Sequence, residues 1–221
     1  MGQIYIHVGL HRTGTTFLQK HVFPKIKGIK YYDRYNRFRL NHNFLLSIDD
    51  DTDMPILISD EGLSNYNYSD YEECSAYKIA DRLRTLFPSA KIIVVFRKKE
   101  EWIRSLYNFC IKAGGDKDFE SWRNEIFARK DIDFQEYENY LKNLFDDVLV
   151  LWYEKLKEKP RSFVQDICNF IGVPMPDFEI VKENSSLNER ANKLLLAVNR
   201  SRWMPDALKG LTRKTLSFIN R

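Results

Sequence analysis

The sequence predicts an α/β protein with a mainly parallel central sheet that is flanked by helices. Three features support this class: short apolar runs, longer stretches with helical spacing between them, and turn residues at the junctions. Short runs of β-branched and aromatic residues indicate buried strands, and their alternation with helices is typical of parallel sheets. The predicted strands are Ile4–Val8, Ile56–Ser59, Ile92–Phe96 and Val148–Trp152.

Helical spacing of apolar residues fills the stretches that separate and follow these strands. Pro88 precedes the third strand, Gly114 follows the next helix, and Gly172 ends the last predicted helix. Residues 28–54 are less regular and are expected to form a surface excursion near the mouth of the site. The predicted helices are Thr16–Val22, Tyr77–Phe87, Glu100–Ala113, Phe134–Leu144 and Arg161–Ile171.

The length and composition predict a single globular domain over residues 1–221. Of the 221 residues, 43% are hydrophobic and 30% are charged, and neither an internal repeat nor a low-complexity linker divides the chain. The formal net charge of +4 is too small to indicate nucleic-acid binding.

The cysteines and the apolar stretches bear on the expected compartment. The three cysteines form no CxxC pair, which favours a reducing compartment over a disulfide framework or a zinc site. Neither a signal peptide nor a run of about 20 apolar residues is visible. A cytoplasmic protein without a membrane span is therefore expected.

A glycine-containing loop follows the first predicted strand, within IYIHVGLHRTGTTFLQ. Gly9 and Gly14 are five residues apart and precede a predicted helix, so backbone N–H groups and the positive helix end favour a bound anion. Loops for nucleoside triphosphates continue with lysine after the second glycine, whereas Thr15 and Thr16 follow here. With the cation Arg12 inside it, the loop suits one phosphate with an attached group. A Gly/Thr-rich turn without a ligand is the alternative.

The segment HRTGTTFLQ resembles the 5′-phosphosulfate-binding loop of sulfotransferases that use 3′-phosphoadenosine 5′-phosphosulfate (PAPS), typically PKTGTTxLQ. The resemblance implies a P-loop NTPase-like sulfotransferase fold with PAPS as the donor. It places Arg12 where the family has a lysine at the bridging oxygen. Arginine keeps the charge but gives up a proton with difficulty, so electrostatic stabilisation is its expected role. The loop residues expected to bind PAPS are Gly9, Arg12, Thr13, Gly14, Thr15 and Thr16, with Thr15 and Thr16 on the 5′-phosphate.

A second element of the PAPS site is expected in IIVVFRKKEEWIRSLYN. Arg97 lies at the carboxyl end of the third predicted strand, where ligands gather in open α/β sheets, and Ser105 lies eight residues further on. This arrangement is similar to the 3′-phosphate-binding Arg and Ser of the family, and a guanidinium matches phosphate oxygens bidentately. The resemblance also places Tyr153 and Phe17 near the adenine, although such aromatics are commonly core residues.

A base for the acceptor is expected in SDEGLS, residues 59–64, after the second predicted strand. An alcohol or amine must lose a proton during transfer, and a carboxylate beside the donor loop can take it. The segment resembles an S-x-E-G-L-S stretch of bacterial sulfotransferases, so Glu61 is the predicted base and Asp60 the alternative. Asp-Glu-Gly is also a common turn sequence. His11 is expected to contact the sulfuryl group.

These residues together predict in-line displacement at sulfur without a metal ion. Glu61 takes the acceptor's proton, and the loop amides with Arg12 stabilise the group in transfer while 3′-phosphoadenosine 5′-phosphate (PAP) leaves. The expected acceptor is a small molecule or a glycan. The glutamate base and the tyrosine- and arginine-rich stretch Tyr31–Phe38 favour a hydroxyl on a saccharide or glycoconjugate. Residues 184–186 and 190–221 are expected to close over the PAPS site.

Two other functions stay open on the sequence alone. The segment ILISDE also matches the strand-plus-acid pattern that holds magnesium in P-loop kinases and nucleotidases, with Asp60 on the metal and Glu61 orienting water. The missing loop lysine counts against that interpretation. The other is a non-catalytic module that binds a nucleotide or a glycan.

Overall fold

The computed structural model describes residues 2–33, 53–64, 76–129, 131–181, 189–201, 205, 208–210, 212 and 215. These residues fall into two compact units. The first contains the described residues up to 98 together with 132–181, and the second contains those of 99–131 and from 189 onwards. The single domain expected over residues 1–221 stays a prediction.

The first unit holds a five-stranded, fully parallel sheet in the order β2–β3–β1–β4–β5. All four predicted strands are confirmed to within one residue at each end. The strand that was not predicted, Lys30–Asp33, lies within residues 28–54, so the prediction of a surface excursion is wrong for these four residues. This strand has no aliphatic run because it is a half-buried edge. The strands are β1 (Ile4–Gly9), β2 (Lys30–Asp33), β3 (Ile56–Asp60), β4 (Lys91–Phe96) and β5 (Val148–Trp152).

The helices follow the predicted alternation, and α5 has the predicted bounds. The helix after β1 begins as α-helix, continues as π-helix over Leu18–Val22 and ends in a 3-10 turn. No helix in the described ranges is long and apolar enough to cross a membrane. The helices are α1 (Thr15–Phe17), α2 (Ala76–Leu86), α3 (Lys99–Ala113), α4 (Phe119–Glu125), α5 (Phe134–Leu144), α6 (Tyr153–Glu158), α7 (Pro160–Ile171) and α8 (Glu189–Arg200).

Alternation of side chains along the strands gives the sheet two apolar faces. Tyr5, Leu57 and Val95 lie on one face, in a core with residues of α1, the π-helix, α6 and α7. Burial of this apolar surface stabilises the unit by about 25 cal/mol per Å². On the other face, Phe96 stacks on Phe134 at the start of α5, with ring centroids 4.8 Å apart. The sheet of this unit therefore carries helices on both sides.

Local signals explain where several helices begin and end. The carboxylates of Asp118 and Asp133 each accept a backbone N–H at 2.9 Å and thereby cap α4 and α5. Pro160 opens α7, and Gly172 ends it with a left-handed φ of 81°. These residues place the bounds of α5 and α7 within one residue of the predicted ones, whereas α4 was not predicted.

In the second unit, α8 packs against α3 through the buried residues Ile111, Ala191 and Leu195. The Asn199 amide donates to the carbonyls of Ile111 at 2.9 Å and Gly115 at 2.8 Å, which ties the end of α8 to the end of α3. Closure of the C-terminal residues over the PAPS site stays a prediction, and residues 184–186 lie outside the described part of the chain.

A buried polar cluster interrupts the apolar face of the first unit. The His7 Nδ1 atom lies 2.8 Å from the Ser59 hydroxyl, which also accepts from the Gln19 amide at 3.0 Å. His7 and Ser59 are register partners on β1 and β3, so the sheet itself sets this contact. Burial lowers the pKa of His7 from 6.5 to about 4, although the nearby Glu61 carboxylate acts in the opposite direction. His7 is therefore neutral at neutral pH.

This pKa predicts a stability loss in mild acid. The unfolded chain takes up a proton at His7 near pH 6.5, whereas the folded chain does so only near pH 4. As the pH falls from 6.5 to 4, His7 should lower the free energy of unfolding by about 3 kcal/mol. Urea denaturation of the wild type and of His7→Gln over this range measures the effect. Parallel pH curves for the two proteins would contradict it.

Candidate functional site

The carboxyl ends of four strands meet at one edge of the sheet. Strand β1 lies between β3 and β4, and the register pairs Val8 with Asp60 and Gly9 with Val95. The chain runs from β1 towards β2 and β3 on one side and β4 and β5 on the other, which makes this edge a topological switch point. Ligands of open α/β sheets bind in such crevices. The segments after β1, β3, β4 and β5 therefore build the candidate site.

The loop after β1 is closed by a compact backbone. Arg12 and Gly14 have left-handed φ angles of 71° and 91°. A Cβ added to Gly9 would lie 2.7 Å from Thr15 Oγ1, so only glycine allows the loop to close here. The buried Thr13 hydroxyl donates to the Leu10 carbonyl at 2.6 Å. The structure thus brings together all the loop residues that were predicted to bind PAPS.

Thr15 carries the clearest sign that the loop binds a polar ligand. Its side chain is 2% exposed, and its Oγ1 atom has no hydrogen-bond partner among the described residues. A buried hydroxyl without a partner costs about 1–3 kcal/mol, so such groups usually have a function. Thr16, the next residue, is half-buried. The loop therefore offers a hydroxyl and closely folded backbone to a small anion.

Arg97, at the end of β4, lies against this loop. Its Nη1 atom donates to the Arg12 carbonyl at 3.2 Å, and its guanidinium lies 4.7 Å from the centroid of the Tyr153 ring. Tyr153 also lies beside Gly14, because a Cβ on that glycine would be 3.2 Å from the ring. The structure thus brings Arg97 and Tyr153 to the loop, and their predicted contacts with PAPS stay predictions.

Glu61, in the 3-10 turn Glu61–Ser64 after β3, contacts the loop from the other side. Its Oε2 atom lies 2.9 Å from His11 Nδ1, and the two side chains are 15% and 19% exposed. Asp60 has a different place, because its Oδ1 atom accepts the Gly62 N–H at 2.7 Å within the turn. Glu61 and His11 therefore form a contacting pair of ionisable side chains at the loop.

Two predicted site residues have other surroundings. Phe17 is buried in the apolar core of the first unit, with its ring centroid 6.0 Å from that of Phe178. Ser105 is buried on α3 of the second unit. The adenine contact of Phe17 and the 3′-phosphate contact of Ser105 stay predictions.

Sequence reasoning missed three side chains that support the site. The Glu154 carboxylate accepts the Lys98 N–H at 3.0 Å and so links the segments that carry Tyr153 and Arg97. Leu156 packs against Gly14, and Gln19 donates to Ser59 beside His7. The polar residue His7 within the otherwise apolar strand β1 is a sequence signal that could have indicated the contact between Gln19 and Ser59.

Comparison with known proteins finds sulfotransferases. The family model described as sulfotransferase domain matches residues 5–213. Sulfotransferase 1A1 of Canis lupus familiaris is 24% identical over 127 residues, which are 53% of this chain and 42% of that protein. Sulfotransferase 2A2 of Rattus norvegicus is 27% identical over 124 residues, which are 48% of this chain and 44% of that protein. The chain thus matches less than half the length of these curated relatives.

Solved structures of sulfotransferases share the fold. A sulfotransferase from Alicyclobacillus acidocaldarius has a TM-score of 0.61 at 16% identity, covering 95% of this chain and 96% of that chain. A mouse sulfotransferase, SULT7A1, complexed with PAP, has a TM-score of 0.55 at 14% identity, covering 79% of this chain and 61% of that chain. At these identities the likeness concerns the fold alone, and it confirms the predicted P-loop-like α/β class.

The close packing around Gly14 can be tested with Gly14→Ala, and Gly28→Ala is the matched control. Both glycines have left-handed φ angles, but a Cβ on Gly14 would lie 2.5 Å from Leu156, whereas one on Gly28 meets nothing within 4 Å. Gly28→Ala should cost about 1–2 kcal/mol from its φ alone. Gly14→Ala should cost about 1–3 kcal/mol more, because Leu156 and Tyr153 must move. Urea unfolding measures both, and equal losses would show that Gly14 is not closely packed.

Proposed function

Because the chain belongs to the sulfotransferase domain family, we propose that it transfers a sulfuryl group from PAPS to a hydroxyl or amine of a small-molecule or glycan acceptor. The observation that carries the proposal is the buried, unpartnered Thr15 hydroxyl within the loop from Gly9 to Thr16. Arg97 contacts this loop at the Arg12 carbonyl, and Glu61 contacts its His11 side chain. An anion-binding loop, a second cation and a base are the parts that sulfuryl transfer needs.

The residues of the loop fit the 5′-phosphosulfate of PAPS. The Thr15 hydroxyl can donate to a phosphate oxygen, and Gly9 lets the loop fold closely enough to bring this hydroxyl among the loop amides. Arg12 adds a fixed positive charge that would stabilise the bridging oxygen as it gains negative charge. PAPS, when bound, supplies the activated sulfuryl group, and the mouse neighbour with PAP supports this choice of donor.

Arg97 fits the 3′-phosphate that distinguishes PAPS from other adenosine nucleotides. The stack on Tyr153 holds its guanidinium in place, so less side-chain freedom is lost when a phosphate binds. Tyr153 would then lie near the adenosine part of the donor. In this proposal, Arg97 and Tyr153 select the nucleotide, while the loop holds the reacting end.

The base belongs to the Glu61–His11 pair, and Glu61 is the member that the sequence predicts. The carboxylate is partly buried beside the loop and is bonded to His11, so both groups adjoin the place where the sulfuryl group would be transferred. Asp60 is a weaker candidate because its carboxylate is engaged in the turn. Removal of the acceptor's proton by such a pair accelerates transfer by about 10²- to 10⁴-fold.

The proposed acceptor class is linked to the stretch Tyr31–Phe38, of which the structure describes the first three residues. Within the stretch Tyr31–Phe38, Tyr31, Tyr32 and Asp33 form the end of β2, and residues 34–38 lie outside the described part of the chain. We keep a small-molecule or glycan acceptor as the proposal.

Cys110 and Cys168 are free thiols, which supports a reducing, cytoplasmic setting.

Titration with PAP tests this function. The protein should bind PAP without magnesium, because its own cations and dipoles hold the phosphates. Arg97→Ala should weaken PAP binding about 10- to 100-fold, as expected for loss of a charged hydrogen bond, but should change the affinity for adenosine 5′-phosphate much less. Isothermal titration calorimetry measures all of these affinities.

Arg161→Ala is the matched control. Arg161 also stacks on an aromatic ring of the first unit, with its guanidinium 5.5 Å from the Phe178 centroid. Its replacement should leave both affinities unchanged. Binding of ATP that requires magnesium, together with no binding of PAP, would overturn the proposed function in favour of a kinase or nucleotidase.

A further inference from the structure

The contact between Glu61 and His11 divides their roles in a way that the sequence does not predict. We propose that His11 is the catalytic base, which accepts the acceptor's proton on Nε2, and that Glu61 is a positioning residue that holds the imidazole through Nδ1. The inference rests on the proposed function, since it names the base of the same reaction. It reassigns the role that the sequence gives to Glu61.

The hydrogen bond sets which imidazole nitrogen can take up a proton. A carboxylate only accepts hydrogen bonds, so Glu61 Oε2, at 2.9 Å, requires the hydrogen of the neutral His11 ring on Nδ1. The lone pair is then on Nε2, at the opposite side of the ring from Glu61. The same contact leaves Glu61 with one oxygen already committed to its neighbour. His11 is thereby oriented as a base, and Glu61 is the group that orients it.

The position of His11 in the chain supports the same division. His11 directly precedes Arg12 inside the loop that is proposed to hold the sulfuryl donor, whereas Glu61 is one residue past the end of β3. A base must be within hydrogen-bond reach of the acceptor atom that attacks the sulfur. The member of the pair that belongs to the donor loop is the better placed of the two.

Proton affinity also favours the imidazole. An ordinary histidine has a pKa of about 6.5 and an ordinary glutamate about 4.3, so histidine is nearer the pH at which a general base works best. Proton uptake converts the neutral ring to a cation 2.9 Å from a carboxylate. Both side chains are largely buried, so this attraction exceeds that of an exposed pair. Glu61 therefore stabilises the state that His11 reaches during the reaction.

The step is balanced in atoms and charge. As the acceptor oxygen bonds to sulfur, its proton moves to His11 Nε2. The bond from sulfur to the bridging oxygen breaks, and PAP leaves with that electron pair. His11 then returns its proton to solvent. No oxidant, reductant or further reactant is needed.

Two acceptors that differ in acidity test this role. Above neutral pH, p-nitrophenol is largely ionised and needs no base, whereas 4-nitrobenzyl alcohol must lose its proton during transfer. With ³⁵S-labelled PAPS, His11→Asn should lower kcat for the alcohol about 10²- to 10³-fold and for the phenol less than about 10-fold. A structural role for His11 would lower both rates equally. His21→Asn, on the π-helix after α1, is the matched control and should leave both rates unchanged.

Glu61→Gln gives a second readout with any alcohol of a wider panel that the wild type sulfates. It should lower kcat for the alcohol more than for p-nitrophenol and leave KM for PAPS nearly unchanged, because the amide no longer fixes the His11 hydrogen on Nδ1 while the donor loop keeps its residues. Equal losses for both acceptors, or an active His11→Asn together with an inactive Glu61→Gln, would overturn this inference alone. If PAP binds but the wild type sulfates no alcohol, phenol, sugar or amine, the proposed function fails as well.

Discussion

The left-handed backbone of Arg12 and Gly14 is the constraint on which the rest of the site depends. It turns the chain back after β1, so that the Thr15 hydroxyl comes against Gly9 and becomes buried. A left-handed φ costs an ordinary residue about 1–2 kcal/mol, so Arg12 needs support from its surroundings. Arg97 gives that support through the Arg12 carbonyl, and Thr13 holds the neighbouring Leu10 carbonyl.

The same constraint links donor recognition to the shape of the loop. Arg97 bonds to the loop and stacks on Tyr153, while Tyr153 and Leu156 pack against Gly14. The residue proposed to bind the 3′-phosphate therefore also stabilises the segment proposed to bind the 5′-phosphosulfate. On the other side, His11 extends from the loop to Glu61. One loop thus joins the residues proposed to select the nucleotide to the Glu61–His11 pair.

Much of this fold could be predicted because its signals are local. The strands β1, β3, β4 and β5 each contain a short run of apolar residues, and the spacing of Gly9, Gly14 and the two threonines marks the loop without any knowledge of its neighbours. Strand β2 escaped prediction because its residues, Lys30–Asp33, read equally well as a polar excursion. Apolar spacing predicted a helix over Leu18–Val22, but spacing alone does not show that this helix is a π-helix.

The contacts that decide chemistry could not be predicted in the same way. Arg97 and Arg12 are 85 residues apart, and Glu61 and His11 are 50 residues apart, so only the parallel register brings each pair together. The sequence predicts site roles for all four residues, with Glu61 as the base because a carboxylate after a strand is a visible pattern, and these roles stay predictions. The partner of that carboxylate becomes visible only when the strand ends are placed at one edge.

A crystal structure of the protein with PAP is the most direct test that the loop after β1 is the donor site. In that structure, we expect a 5′-phosphate oxygen within about 2.6–3.0 Å of Thr15 Oγ1 and in contact with the loop amides. The 3′-phosphate should lie against Arg97. A nucleotide bound elsewhere, with the Thr15 hydroxyl still buried and unpartnered, would contradict the account.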